Sequence, residues 1–326
     1  MVATTIEQAG ARTLSATSPR LPLARFLRIG ERETDFEVRG FAPAETPVRQ
    51  ALELHGRSFT AGFNEALATR EPLALARRLG DVAEAERGFA FEGAAMALAL
   101  LDVVLPGRRR RLGRFLAGPG TAHVYMLHVG AGWALARLCR RPWAGLPLDP
   151  LLRWLVLDGY GFHEAFFHPE RAVRRGRRPR RLRGAQLRVF DQGVGRALWF
   201  VEAADPDRIA HTIGSLDPAR RADLWSGVGL ATTYAGAISE DGLGRLAAAS
   251  GRYRLHAAQG AAFAAKARLR AGNLVPHVDL ACELLCGLDA RAAAGITDGA
   301  LRTVRGGEAE DYEGWRAEIR ALLARA

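Results

Sequence analysis

Apolar residues recur at helical spacing along most of the chain. Long runs rich in Ala and Leu dominate, whereas runs of β-branched residues, which favour strands, are rare. Four helix starts are marked by Thr or Asp directly before Pro, because the side-chain oxygen caps free backbone N–H groups and Pro at the first helical position loses no hydrogen bond. These pairs are Thr46–Pro47, Asp149–Pro150, Asp205–Pro206 and Asp217–Pro218. The pattern predicts a mainly α-helical protein.

The N-terminal end of the chain departs from this pattern. Residues 1–22 lack the apolar stretch of a signal peptide, and we expect a disordered tail there. Residues 23–47 form a lead-in in which Phe36, Val38 and Gly40 alternate as in a strand, which predicts a little β-structure near the N-terminus. Residues 289–326 are expected to form a C-terminal helical segment. No run of about 18 apolar residues occurs, so we expect no integral membrane segment and a cytoplasmic protein.

Comparison of the chain with itself indicates an internal repeat. Residues 125–159 fall on residues 253–287 without a gap after a shift of 128 positions, and 11 of the 35 positions are identical. A chain this rich in Ala, Leu, Gly and Arg gives roughly three identities by chance. We interpret residues 48–160 and 186–288 as two diverged helical repeats, packed about a pseudo-twofold axis as one helical domain and joined by residues 161–185. The alternative is that any two Ala- and Gly-rich helices resemble one another.

The net charge of +11 is concentrated in one segment. Nine arginines and no acidic residue lie between Arg171 and Arg188. Like charge between folded segments is typical of a solvated, mobile loop, and the alternative is a patch that meets an anionic partner or a membrane surface. No nucleic-acid-binding module, phosphate-binding loop or kinase signature is present, so we expect no nucleic-acid partner.

Two Tyr–His pairs occupy matching positions in the predicted repeats. Tyr125 and His128 precede a glycine, Gly132, at a spacing that places all three on one helix face, and Tyr253, His256 and Gly260 repeat the arrangement. A glycine within a helix predicts the close approach of another backbone or of a ligand. The two faces are therefore candidates for a shared cleft with acid–base chemistry. The alternative is a set of polar residues satisfied inside a helical core.

The most unusual string runs from Asp158 to Phe167. Its two glycines predict a break at the end of an apolar helix, and His163 stands beside Glu164 between aromatic residues. A carboxylate beside an imidazole raises its basicity, which makes this pair our first candidate for catalysis. His168 follows at a spacing that does not match a His-Glu-x-x-His zinc motif, so we predict no metal site. A structural helix break is the alternative.

Further candidate ligand-binding residues lie in this string and in two others, Phe190–Glu202 and Trp225–Ala237. These residues are Asp158, Tyr160, Trp199, Trp225 and Tyr234. On the same three strings, the chain resembles the UnbL-type family of proteins of unknown function that are encoded beside enediyne polyketide synthases. The resemblance implies a role in making or maturing the enediyne core from a polyketide-derived polyene. It supplies no catalytic residue, and the sequence leaves the use of a cofactor open.

Two functional hypotheses follow. The leading one is an accessory protein that binds an apolar, polyene-type intermediate between its helical units and assists its conversion, because small-molecule sites are mostly apolar with a few placed polar groups. The other is a non-catalytic scaffold that docks on the polyketide synthase or on membrane partners through the arginine-rich segment.

Overall fold

The computed structural model describes residues 27–105, 110–140, 146 and 148–326. Over this part of the chain the protein is mainly helical and contains no strand. Its α-helices are α1 (Phe36–Arg39), α2 (Thr46–Ala68), α3 (Pro72–Gly80), α4 (Glu84–Val104), α5 (Arg111–Leu116), α6 (Val124–Arg137), α7 (Leu155–Phe167), α8 (Ala185–Val201), α9 (Pro206–Ser215), α10 (Pro218–Ala235), α11 (Glu240–Ser250), α12 (Arg254–Ala271), α13 (Pro276–Cys286), α14 (Ala290–Leu301) and α15 (Ala309–Leu323). Single turns of 3-10 helix cover Glu31–Thr34, Thr121–His123, Leu152–Trp154 and Gly251–Tyr253, and Glu170–Arg174 is a π-helical turn.

Seven central helices, α2, α4, α6, α7, α8, α10 and α12, build the core. Each packs against its neighbouring central helices in chain order, and the other helices lie in the connections between them or towards the two ends of the chain. Three of the four predicted helix starts are capped as expected, and the exception is Thr46, which is itself the first residue of α2. Asp149 accepts hydrogen bonds from the N–H groups of Leu151 and Leu152. Asp205 accepts hydrogen bonds from the N–H groups of Asp207 and Arg208, and Asp217 accepts one from Ala219 N–H. No helix in the described ranges is both long and apolar enough to cross a membrane.

Small residues two positions apart set the spacing of the central helices. Residues separated by two positions lie about 200° apart around a helix, so one of them faces each neighbour. On α8, a Cβ at Gly193 would overlap the backbone carbonyl of Asp158 on α7, and a Cβ at Gly195 would overlap that of Leu224 on α10. The same pairing recurs at Gly130 and Gly132, Gly159 and Gly161, and Gly227 and Gly229. The central helices therefore cross with their backbones in contact.

This close packing confirms one prediction and corrects another. A Cβ at Gly132 would overlap the carbonyl of Val156, and one at Gly260 would overlap that of Ser226, so both glycines allow the approach of another backbone. Gly159 and Gly161 were expected to break a helix, but they lie inside α7. The neighbouring backbones occupy the space that a side chain would need, and α7 continues through both positions.

The two-unit repeat stays a prediction. Gly132 contacts the helix that follows it, whereas Gly260, its match in the repeat, contacts the helix that precedes it. Gly159 lies within α7, whereas Gly287 ends α13 with a positive φ of 72°. Helix α7 also crosses the expected boundary at residue 160. The recurring unit that the contacts support is shorter: one long helix with a pair of small residues.

The expected strand near the N-terminus is wrong. Residues 36–39 form the short helix α1, which ends at Gly40 with a φ of 67°. Phe36 is buried with its ring 5.2 Å from that of Phe41, and its N–H donates to Glu53. Val38, which the strand would also have buried, is 43% exposed. The predicted tail at residues 1–22 lies outside the described residues.

The arginine-rich segment is not a loose loop. Ala172, Val173 and Leu182 are buried, and most of the arginines contact groups of this chain. The ion pairs are Arg171 with Glu164, Arg174 with Glu202, Arg175 with Glu170, Arg178 with Asp191, and Arg188 with Asp223 and Glu313. Its acidic partners come from other segments, and these contacts fix it against the helical core.

Candidate functional site

Two apolar cavities lie between the central helices. The first, here called the aromatic cavity, and the second, the inner cavity, each have a volume of about 40 Å³. Aromatic rings dominate the wall of the first: Phe59, Phe89, Trp133, Phe162, Phe166 and Phe200. The inner cavity is lined mainly by Tyr125, Met126, Val129, Leu155, Phe263 and Trp315. The core thus contains apolar space next to aromatic side chains.

The two cavities are adjacent. Arg196, Leu230 and Tyr234 line both of them. All seven central helices contribute side chains to the combined walls, and α15 contributes Trp315. The two cavities therefore meet at Arg196 and Tyr234, and this polar meeting point is here called the narrow point.

Buried charges meet at this narrow point. The guanidinium of Arg196 donates to Asp158 and lies 3.8 Å from Oε1 of Glu92. Trp133 Nε1 donates to the same Glu92 oxygen at 3.0 Å, and the Arg196 guanidinium lies 5.0 Å from the ring centre of Phe162. One arginine is shared by two carboxylates, so the cluster is one positive charge short when both acids are ionised.

The surroundings change the proton affinity of Glu92. Burial raises its pKa to about 7, against the opposing attraction of Arg196. A carboxyl group with this pKa holds or releases a proton near neutral pH, which is the range in which general acid–base catalysis is most effective. Glu92 lines the aromatic cavity and can act on a molecule within it.

Tyr234 lies at the same narrow point. Gly88 makes room for its hydroxyl, since a Cβ at Gly88 would overlap that oxygen. The guanidinium of Arg268 stacks 4.2 Å from the ring centre and donates to the Tyr234 backbone carbonyl. Burial raises the pKa of the phenol, so it stays protonated and able to donate a hydrogen bond.

A chain of buried polar groups leads away from Asp158. Gln192 Nε2 donates to Asp158 at 2.8 Å, and Ser226 Oγ lies 3.2 Å from Gln192 Oε1 and 3.1 Å from Gln259 Oε1. Arg316 of α15 then donates to Gln259. Asp158, Gln192, Ser226 and Gln259 each directly precede the first small residue of their helix pair. They therefore form one polar layer at the level where the helices cross.

A third, more open space lies beside the aromatic cavity. This polar cleft, of about 470 Å³, is lined mainly by Arg28, Glu33, Arg137, His163, Glu164, His168 and Arg171. Ile29, Glu33 and Phe167 line both the cleft and the aromatic cavity. The cleft therefore lies directly next to the apolar space.

The predicted acid–base pair lies in this cleft. His163 Nδ1 is 3.6 Å from Glu164 Oε1, and Arg171 donates to the same carboxylate. Burial lowers the pKa of His163, so the ring is neutral at neutral pH. Burial by itself would raise the pKa of Glu164. His163 and Arg171 outweigh this effect and hold the pKa of its carboxyl below the ordinary value. The pair combines an ionised carboxylate with a neutral imidazole.

The Tyr–His residues lie in different surroundings. Tyr125 lines the inner cavity, and burial raises its pKa to about 12. His128 bonds to backbone through both ring nitrogens, with Val124 O at 2.7 Å and Asp149 N at 3.2 Å. Arg252 donates to the hydroxyl of Tyr253, and burial lowers the pKa of His256 to about 4. Of these four residues, Tyr125 is the one that borders a cavity described above.

Of the remaining predicted ligand-binding residues, two border the cavities and three do not. Asp158 and Tyr234 border the cavities, as described. Trp199 is fully buried and donates through Nε1 to Gly236 O, Trp225 is buried, and Tyr160 packs beneath Arg181. These three aromatic side chains belong to the packed core around the cavities.

Glu92 and Arg196 were not among the predicted site residues. Glu92 interrupts an apolar run from Phe89 to Leu101, and Arg196 directly follows the glycine pair of α8. A charge in a helix that is otherwise apolar all round indicates a buried, paired group. That signal could have identified both residues.

Comparisons with known proteins give one positive finding. The sequence model of a family described as "Protein of unknown function (DUF1702)" matches residues 23–323. Searches of the curated proteins and of the solved structures gave no match.

Proposed function

We propose a function from one premise: the chain belongs to the DUF1702 family, which is described as a family of proteins of unknown function. The protein binds a slender, apolar, unsaturated chain in the aromatic and inner cavities. In the context that the sequence resemblance implies, this ligand is a polyene-type intermediate, and the protein is an accessory factor that assists formation or maturation of the enediyne core.

The observation that carries the proposal is the pair of adjacent apolar cavities. The walls of both cavities are almost wholly apolar, which suits a hydrocarbon better than a polar ligand. Rings such as Trp133 and Phe162, 5.0 Å apart, offer faces and edges to the π-system of a conjugated chain. Apolar cavities of this kind gain little from polar ligands, because nothing on most of the wall can replace lost water contacts.

Two groups next to this space supply proton chemistry. Glu92 borders the aromatic cavity and exchanges a proton near pH 7. His163 and Glu164 border the adjoining cleft and remain the pair predicted from the sequence. A proton moved to and from an unsaturated chain shifts double bonds without any net oxidation, and this is the kind of assistance that the site supports.

Fluorescence titration with a conjugated tetraene fatty-acid methyl ester tests the binding. The probe brightens when it leaves water, and we expect a saturable rise. Ala231→Leu adds a branched side chain to the aromatic cavity and should weaken binding on the order of tenfold. Ala248→Leu, on the exposed side of α11, is the matched control and should leave binding unchanged. Absence of a saturable signal, or equal loss in both variants, would refute the proposed ligand.

A genetic test addresses the pathway. In the native host, deletion of this gene should abolish the enediyne product, and the wild-type gene should restore it. A gene encoding His163→Ala should restore folded protein but not the product, because the variant lacks the cleft imidazole. Normal product from the His163→Ala strain would remove His163 from the proposal, and normal product from the deletion strain would remove the pathway.

The scaffold hypothesis finds less support in the contacts. It requires the arginine-rich segment to offer its charges to a partner, whereas Arg174, Arg178 and Arg188 already pair with buried or half-buried acids of this chain. Replacing the partly exposed Arg175 should therefore leave association with pathway proteins unchanged.

A further inference from the structure

The polar cleft has unmatched positive charge. Arg171 is paired with Glu164, and Glu33 accepts a hydrogen bond from Arg39 at 2.8 Å. Arg28 and Arg137, by contrast, form no ion pair or hydrogen bond with any residue in the described part of the chain. Among the described residues, the cleft therefore presents two guanidinium groups without a partner.

Only a thin wall separates these charges from the apolar space. Ile29 and Phe167 face both the cleft and the aromatic cavity. The backbone of Ile29 is held in place by Asn64, which donates to its carbonyl at 2.9 Å and accepts from its N–H at 3.1 Å. Phe167 lies at the end of α7, where its ring is half-buried beneath Arg39. A ligand that extends past Phe167 has one end among the charged groups of the cleft and the other end in the apolar aromatic cavity.

Resting on the proposed function, we propose that the polar cleft binds the carboxylate of a long-chain unsaturated acid whose hydrocarbon chain occupies the aromatic cavity. Arg28 and Arg137 supply the charge, and guanidinium groups match the two oxygens of a carboxylate. A doubly charged phosphate fits less well, because Glu33 and Glu164 line the same cleft and repel the larger charge. The neutral ring of His163 offers a hydrogen bond at the base of the cleft.

The test compares a conjugated tetraene fatty acid with its methyl ester at pH 8. The two probes share the chain and differ in the charge of the head. In the wild-type protein we expect the acid to bind about threefold to tenfold more tightly, the range for partly exposed charge pairs. Arg28→Gln/Arg137→Gln should reduce the affinity for the acid to that for the ester and leave the ester unchanged. Arg291→Gln, exposed at the start of α14 and outside the three spaces, is the matched control and should leave both affinities unchanged.

The outcomes separate the two proposals. Equal affinities of acid and ester for the wild-type protein, or equal loss of both in the double variant, would overturn the head-group site while the apolar ligand stands. Tighter displacement of the acid by an alkyl phosphate than by an alkyl carboxylate of equal length would overturn the choice of carboxylate. Failure of both probes to bind would instead refute the proposed function itself.

Discussion

The aromatic cavity and the polar cleft adjoin one another, yet they shift the pKa of their glutamates in opposite directions. Glu92 shares Arg196 with Asp158 and is shielded from water, so burial dominates and its pKa rises to about 7. Glu164 has Arg171 to itself and borders open space, so the nearby positive charge dominates and its pKa falls. The number of cations per carboxylate and the access of water decide in which direction the pKa of each glutamate shifts.

The difference assigns separate tasks to the two regions. The cavity holds a carboxyl group that is protonated for part of the time against an apolar wall, which suits proton exchange with a hydrocarbon. The cleft holds fixed charges in contact with water, which suits recognition of a charged head. Each of the following predictions would strengthen or break this division.

The largest loss of stability is expected from Arg196→Met. The variant leaves Asp158 buried without its cation, and removal of one partner of a buried pair costs roughly 3–5 kcal/mol. Chemical denaturation at pH 7 measures the loss. A loss below about 1 kcal/mol, the level of a surface pair, would show that the narrow point is open to water and that the two regions do not differ.

The second effect is the contribution of Glu92 to the pH dependence of stability. Its pKa is about 7 in the folded protein and 4.5 in the reference state, so the stabilisation present below pH 4.5 is lost as the pH rises to 7. The shift corresponds to at most about 3 kcal/mol. Glu92→Gln should gain stability relative to the wild type between pH 5 and pH 8, as measured by denaturation at both values.

Glu164→Gln supplies the comparison for that experiment. The pKa of Glu164 is lowered on folding, so its stabilisation is present above the unfolded value and is lost as the pH falls through the folded value. The stability of Glu164→Gln relative to the wild type should therefore fall as the pH rises towards 4.5, and it should stay level between pH 5 and pH 8. A gain between pH 5 and pH 8 like that of Glu92→Gln would contradict the opposite environments.

A smaller effect is expected from the crossing points that fix the cavity walls. In Gly193→Ala the added methyl overlaps the Asp158 carbonyl, and such overpacking costs about 1–3 kcal/mol. Gly295→Ala on α14 meets no atom within 4 Å and should instead stabilise by up to about 1 kcal/mol. Thermal unfolding of both variants measures the difference, and equal behaviour would mean that the central helices are free to separate.

The smallest effect is expected in the cleft. Arg171→Met removes the partner of Glu164, but the arginine is half-exposed and water can replace it. The expected loss is about 0–1 kcal/mol. Chemical denaturation of Arg171→Met and Arg196→Met under the same conditions compares their losses of stability. A loss as large as that of Arg196→Met would place Glu164 in the dry interior.

The sequence predicted the local parts of this structure. Pro after Asp205 and Asp217 marked helix starts, because capping depends on neighbours in the chain. Gly132 and Gly260 predicted close backbone approach, because a glycine in a helix needs such a reason. Asp158 and Tyr234 were predicted as ligand-binding residues because they stand in unusual strings, and the structure places both at the cavity walls.

The pairing of distant residues could not be predicted in the same way. Glu92 and Arg196 lie on α4 and α8, which are not consecutive central helices, and their contact depends on how the helices surround the cavities. The arginine-rich segment was expected to be mobile because its partners, such as Glu202 and Asp223, lie elsewhere in the chain. The matches between residues 125–159 and 253–287 keep the repeat a prediction, because residues such as Gly132 and Gly260 contact different neighbours.

Quenching of tryptophan fluorescence by a dibrominated long-chain ester tests the occupied cavity most directly. Bromine quenches on contact, Trp133 and Trp315 line the cavities, and Trp225 is buried without lining either. We predict saturable quenching that survives in Trp225→Phe and is largely lost in Trp133→Phe/Trp315→Phe. Quenching that is unchanged in the double variant would show that the chain binds elsewhere.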